Sequence, residues 1–201
     1  MKRSVVAVIA VVVVAAGAFL ALSLMGPDLR EYDKLRTPRI TQMKDQKMLE
    51  VRVTGVPGQV SGKAIGKLFG EFFSLRKARK DMNFSAPRAR WPKDLDTKKE
   101  DWVGIFGLPV PDDIADKDLS AGTNDAVKVS LAVWRYGTVA EILHVGSYDS
   151  ETPTIGRLLQ FIKDGGYRII GEHEEEYVKG PGPFSFNPKG YYTVIRYRVV
   201  K

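Results

Sequence analysis

Residues 137–178 read GTVAEILHVGSYDSETPTIGRLLQFIKDGGYRIIGEHEEEYV and contain a complete strand, helix and strand. Apolar residues recur with the spacing of a strand up to Val145, and Thr152-Pro153 then begins a helix whose buried face repeats every three or four residues. Gly165-Gly166 ends this helix. Extended segments follow at 167–178 and 191–200, so the C-terminal half is predicted to be strand, helix, strand, strand.

The first half shows the same order of elements. Residues 49–55 alternate between apolar and polar, a helix with one apolar stripe covers 61–76, and strands are predicted at 102–110 and from residue 127. We therefore predict an α+β fold in which a βαββ unit occurs twice, at 48–134 and 138–200, with an antiparallel sheet and both helices on one face. The uncovered face is predicted to form an aromatic ligand groove.

The segment 77–100 interrupts the first unit. It reads KARKDMNFSAPRARWPKDLDTKKE, and its basic residues are interspersed with two aromatic residues and two prolines without a sustained period. It is therefore predicted to be a long charged loop. One hypothesis for the whole chain is a scaffold that docks a protein partner of unknown identity through the basic residues 77–99.

An apolar run from Val5 to Met25 precedes the folded part. It is long enough to cross a membrane as a helix, and Ser23 is its only polar interruption. We predict a transmembrane anchor at 1–26 that contacts the membrane through 4–25, a linker at 27–46, and one domain at 47–201. The protein is then single-pass, with its domain outside the cytoplasm. The alternative is a signal peptide cleaved near Ala16-Gly17-Ala18.

Composition excludes several classes of site. The first 44 residues hold seven Lys/Arg and three Asp/Glu, so most of the net charge of +7 lies near the predicted membrane and nucleic-acid binding is not expected. The chain has no Cys and two His, and it lacks GxSxG, HExxH and phosphate-binding glycine motifs. We predict no metal site and no cofactor, with haem as an alternative.

The densest acidic run is His173-Glu174-Glu175-Glu176. Side chains of a strand alternate between faces, so Glu175 shares a face with Tyr177 and the other two glutamates take the opposite face. One interpretation is a solvated, charged edge strand. The other places Glu175 in an aromatic groove, where burial raises the carboxyl pKa and a bound cation offsets that cost. His144, at the end of a strand, is a haem ligand, a base or a cap of the turn.

The stretch from Tyr136 to Val178 resembles the GyrI-like small-molecule-binding domain. The family includes the effector-binding halves of AraC-type and multidrug-sensing regulators, and it shares its duplicated fold with SOUL-type haem binders. In the first half the order of elements agrees, and Gly104-Ile105-Phe106 resembles a family strand, whereas 77–100 is an insertion. The motifs that carry the resemblance are Gly137-Thr138-Val139-Ala140, residues 144–149, Leu158-Leu159, Gly166-Tyr167 and residues 175–178.

The resemblance implies a ligand between the repeats, contacted by a Glu-x-Tyr pair that corresponds to Glu175 and Tyr177. Some relatives are hydrolases of strained electrophilic compounds, in which the corresponding Glu activates water. The leading hypothesis is thus a membrane-tethered domain that binds an amphipathic or cationic organic molecule with Glu175 as counter-charge. A hydrolase using Glu175 and Tyr177 is one alternative, and a SOUL-like haem binder with His144 or His173 as axial ligand is another. The predicted ligand-binding residues are Glu175, Tyr177, Trp134, Tyr136, Phe106 and Tyr148, although Trp134 and Tyr136 also suit simple packing.

Overall fold

The computed structural model describes residues 28–91, 98–120, 127–181 and 187–201. They form one antiparallel sheet with two α-helices, so the predicted α+β class is confirmed. The strands are β1 (Arg39–Met43), β2 (Gln46–Thr54), β3 (Arg88–Trp91), β4 (Val103–Pro109), β5 (Ser130–Trp134), β6 (Gly137–Val145), β7 (Arg168–Ile169), β8 (His173–Lys179) and β9 (Tyr192–Val200), and the helices are α1 (Pro57–Ala78) and α2 (Thr152–Asp164).

The strand order shows how the two halves meet. The sheet runs β1-β6-β9-β8-β3-β4-β2-β5, and β7 adds to β9. The units β2-α1-β3-β4 and β6-α2-β8-β9 have the same order of elements, and β3 pairs with β8 at the centre of the sheet. The duplicated βαββ unit is therefore present, but its first copy has different strands from those predicted.

Strand β3 is the main difference. It lies within 77–100, which the sequence predicts to be a loop. The prediction fails there because the strand has only four residues, between Pro87 and Pro92, and these are too few to show a period. Its pairing partners β4 and β8 are distant in sequence. Strand β5, predicted to complete the first unit, instead precedes the second and pairs with β2. The basic segment proposed to dock a partner thus contains Arg88 and Arg90, whose side chains are only 13% and 11% exposed.

The predicted linker at 27–46 also differs from the structure where that segment is described. A 3-10 helix, Leu29–Leu35, buries Leu35 against Leu143 and Val194, and β1 then pairs with β6. Strand β1 precedes β2 but borders β6, just as β5 precedes β6 but borders β2. Each unit therefore supplies the outer strand of the other, a pairing that no local pattern can reveal.

Both helices pack on one face of the sheet, as predicted. Helix α1 covers Leu49, Val51 and Phe106, and α2 covers Ile142 and Ile195. No helix in the described ranges is long and apolar enough to cross a membrane. The predicted anchor at 1–26 and its membrane-contacting residues 4–25 lie outside the described residues.

The face opposite the helices carries a buried layer of ion pairs. Arg196 binds Glu141 at 2.8 Å and Glu176 at 2.5 Å, and it lies 3.6 Å from Glu174. The last two come from β8, and both are buried, so the interpretation of the acidic run as a solvated edge is wrong. A cavity of about 10 Å³, the space of roughly one water molecule, lies in this layer beside Arg90, Tyr136, Val139, Glu172, Glu174, Arg196 and Arg198.

Arg196→Met should lower the free energy of unfolding by about 3–5 kcal/mol, because three buried carboxylates would lose their shared cation. Urea unfolding of the full chain, followed by tryptophan fluorescence, measures the change. Arg30→Met is the matched control: its side chain is 88% exposed and pairs, among the described residues, with neighbouring Asp28 alone, so stability should hardly change. Equal effects of the two substitutions would contradict a structural role for the ion-pair layer.

Candidate functional site

The candidate site lies on the helix-covered face, where β8 and β9 are adjacent. Glu175 and Tyr177 of β8 pair in register with Ile195 and Thr193 of β9, and Ile195 packs in the core beneath α2. The predicted alternation is confirmed, since Glu174 and Glu176 point to the opposite face, where they meet arginines. The predicted location is wrong: Glu175 and Tyr177 share the face of the helices and not the uncovered face.

The Glu175 carboxylate accepts hydrogen bonds from three side chains. Nε2 of His173 donates to Oε1 at 2.9 Å, and the Tyr177 hydroxyl donates to Oε2 at 2.6 Å. The indole of Trp91 donates as well. Burial acts to raise the pKa of Glu175, but these donors outweigh it and hold the pKa below its usual value of 4.5. Glu175 is therefore ionised at neutral pH.

Aromatic rings enclose this carboxylate. The Tyr148 ring lies 5.6 Å from that of Tyr177 and 5.5 Å from that of Tyr191, both measured between centroids. Burial, followed by the charge of Glu175, raises the pKa of the Tyr177 hydroxyl, so it stays protonated and donates. Tyr148 is 39% exposed and is the outermost of the three rings. We call Glu175 and the rings of Tyr148, Tyr177, Tyr191 and Trp91 the aromatic cleft.

A second carboxyl group adjoins the cleft. Glu151, at the N-terminus of α2, is 6% exposed and lies within hydrogen-bonding reach of Glu175 and Thr193. Burial first, and then the charge of Glu175, raises the pKa of Glu151 to about 8. At neutral pH the pair thus holds one proton, on Glu151, and one negative charge, on Glu175.

The predicted ligand-binding residues do not all meet. Glu175, Tyr177 and Tyr148 come together. Phe106 lies behind Trp91 in the fully buried core under α1, with 5.6 Å between the two ring centroids. Trp134 and Tyr136 lie on the opposite face, where their side chains bond to Glu50 and Glu174. The alternation of β2 and β5 explains this, since Trp134 pairs with Gln46 on the face that α1 does not cover.

Both histidines are engaged within the chain. His144 donates from Nε2 to the Ser147 carbonyl at 3.1 Å, and its Nδ1 lies 3.0 Å from the Thr154 hydroxyl. His173 bonds Glu175, and its Nδ1 lies 2.8 Å from the Tyr197 hydroxyl. Every ring nitrogen of the two histidines therefore has a hydrogen-bond partner, and either histidine would have to break such a bond to bind haem iron. Across the described ranges, no cluster of three or more His, Asp and Glu is arranged to hold a metal ion.

Four residues of this site carry no clear signal in the sequence. Trp91 falls in a segment without a recognisable period, and Thr193 is one polar residue within a strand. His173 is noticed only as part of an acidic run and as an alternative haem ligand, and Glu151 precedes Thr152-Pro153 with no sign that it turns inward. The sequence does contain one detectable sign of the contact between His173 and Glu175. The two residues are two positions apart, so they must lie on the same face of a strand.

Solved structures share this fold. An uncharacterized conserved protein from Listeria innocua is 19% identical with a TM-score of 0.72, over 86% of this chain and 97% of that one. A hydrolase from Listeria innocua is 19% identical with a TM-score of 0.69, over 86% of this chain and 98% of that one. The C-terminal domain of EcmrR is 17% identical with a TM-score of 0.57, over 82% of this chain and 98% of that one.

These likenesses show the fold alone. No family model matches the chain, and no curated protein matches it. A shared fold does not define a function, which depends on the residues of the site.

Stability should depend on pH through Glu151. Between about pH 4.5 and 8 the folded chain keeps a proton on this carboxyl that the unfolded chain releases, so rising pH favours unfolding. The contribution is complete below about pH 4.5 and is lost as the pH rises through about 8, by up to about 1.4 kcal/mol for each pH unit.

Urea unfolding at several pH values measures this dependence. Glu151→Gln should remove the downward slope, whereas Glu31→Gln, at an exposed site on the N-terminal 3-10 helix, should retain it. If the slopes of Glu151→Gln and wild type coincide, Glu151 does not hold a proton in the folded state.

Proposed function

We propose that this chain binds a small amphipathic or cationic organic molecule in the aromatic cleft, with Glu175 as its counter-charge. One observation carries the proposal. Glu141, Glu174 and Glu176 each pair with an arginine, whereas no Lys or Arg in the described ranges forms a salt bridge with Glu175. A carboxylate that is only 14% exposed, beside an imidazole and four aromatic rings, is a favourable place for a bound cation.

Tyr148 provides the way in. It is the most exposed ring of the cleft and packs on Tyr177 and Tyr191. A ligand that reaches Glu175 displaces the Tyr148 ring, and the three phenol faces then surround the cation. Such contacts are worth about 0.5–2 kcal/mol each, depending on desolvation.

The test uses a compact aromatic cation, (2-naphthylmethyl)trimethylammonium, and calorimetric titration of the full chain in phosphatidylcholine nanodiscs. Glu175→Gln should weaken its binding by about 1–3 kcal/mol, because the charge is removed while the shape stays. Glu31→Gln is the matched control and should bind as wild type does. Unchanged affinity in Glu175→Gln would mean that Glu175 is not the counter-charge.

A second candidate function is hydrolysis. Two adjacent carboxyl groups have pKa values moved in opposite directions, which is the arrangement of a general base, Glu175, and a general acid, Glu151. A solved structure of the same fold is a hydrolase. In this alternative Glu175 removes a proton from water that attacks a strained electrophile, and Tyr177 orients the carboxylate. Turnover of an aryl epoxide to its diol, absent in Glu175→Gln, would favour it over binding.

We further propose that residues 4–25 anchor the chain in a membrane and hold the domain outside the cytoplasm. The apolar run Val5–Met25 and the two basic residues before it support this topology. Because the chain has no Cys, a single introduced thiol can report its side of the membrane without background.

Lys128→Cys places that thiol at an exposed position. In intact cells, a membrane-impermeant maleimide should label it, and permeabilisation should add little signal. Cells that express the wild-type chain, which has no thiol, give the background labelling. Labelling only after permeabilisation would show that the domain faces the cytoplasm.

A further inference from the structure

Two buried oxygens beside the aromatic cleft lack hydrogen-bond partners. Oε1 of Glu151 and Oγ1 of Thr193 are shielded from solvent. The two side chains lie within reach of each other, but neither of these atoms forms a hydrogen bond of acceptable geometry with a described residue. Thr193 is 0% exposed and Glu151 6%. Buried polar atoms without partners cost free energy, and two that adjoin one cleft indicate a donor supplied from outside the chain.

Glu175 has little capacity left to accept hydrogen bonds from a ligand. Its oxygens already accept from His173, Tyr177 and Trp91, and Glu151 adds its own proton. A carboxylate offers about four acceptor positions. Glu175 is therefore nearly saturated, and what it still offers a ligand is its negative charge.

We propose that the cleft is specific for a cation that carries N–H donors, a primary or secondary ammonium, with Glu151 Oε1 and Thr193 Oγ1 as its hydrogen-bond acceptors. This inference rests on the proposed function, because it assigns the ligand class of the same site. The charge comes from Glu175 and the directional contacts come from the two unpartnered oxygens. A quaternary ammonium has the charge but no donor, so it leaves both oxygens unsatisfied.

Glu151 adjoins the carboxylate that supplies the charge. Glu151 and Thr193 are also well placed to act together, because Glu151 follows the β6–α2 turn and Thr193 lies on β9, beside His144 of β6. Side chains from two elements thus converge on the ligand's nitrogen, which gives directional selectivity.

The experiment compares (2-naphthylmethyl)ammonium with its N,N,N-trimethyl analogue at pH 7, on the full chain in phosphatidylcholine nanodiscs with empty nanodiscs as blank. The two probes have the same ring and the same charge. Wild type should bind the primary ammonium at least about tenfold more tightly, because its N–H groups can donate to the two oxygens that the trimethyl analogue leaves without a partner. This ratio is measured without any substitution, so it does not depend on how a variant folds.

Variants then assign the preference to its acceptors. Thr193→Val and Glu151→Leu should each move the ratio of dissociation constants toward 1, whereas Thr193→Ser, which keeps the hydroxyl, and Glu151→Gln, which keeps a carbonyl acceptor, should retain it. Equal affinities for the two probes in wild type would overturn the inference, as would a ratio that Thr193→Val and Glu151→Leu leave unchanged. A buried water as the true partner of both oxygens would give this second result.

The outcomes also separate this inference from the proposed function. If both probes bind, depend on Glu175 and have equal affinities, the cleft is a cation site without donor selectivity, and only the inference fails. If both probes bind equally in wild type and in Glu175→Gln, or neither binds, the proposed function fails and the inference fails with it.

Discussion

Side-chain alternation along β8, fixed by arginines on one face, is the constraint on which the rest of the site depends. Glu174 and Glu176 are held by Arg90 and Arg196 in a buried layer. Because the period of a strand is two, this pairing forces Glu175 and Tyr177 to the other face. A slip of one residue would bury Glu175 among arginines and place two carboxylates against the helices' core. The ion pairs thus set the register that makes the cleft.

The same strand explains why one glutamate of three is different. All three side chains are largely shielded from water. Two of them have guanidinium partners from β3 and β9, whose charge offsets the cost of burial. For Glu176 these cations lower the pKa although burial acts to raise it. Glu175 is stabilised instead by hydrogen bonds, which satisfy its oxygens but leave its charge unneutralised apart from the adjacent imidazole. A site that retains charge in an apolar setting differs from a structural ion pair in this respect.

Sequence periodicity predicts the elements that have a local pattern. Both helices and the long strands β2, β4, β6, β8 and β9 carry one, and the shared face of Glu175 and Tyr177 follows from alternation alone. Strand β3 has four residues, and β1 and β5 border strands of the other unit, so their places depend on long-range pairing. The burial of Glu174 was not predictable for the same reason, since Arg90 belongs to β3. Glu151 gives no signal, because its inward orientation depends on where β9 lies.

The turn between β6 and α2 joins the outside of the cleft to its interior. Tyr148 forms the outer wall, and Glu151, three residues later, reaches the inner carboxylate. His144 fixes this turn from both sides, through the Ser147 carbonyl and the Thr154 hydroxyl. A shift of the whole turn would break these bonds and carry Glu151 away from Glu175. Rotation of the half-exposed Tyr148 side chain breaks none of them. Opening by ring rotation therefore admits a ligand while the acceptors stay in place, and that preorganisation lowers the cost of binding.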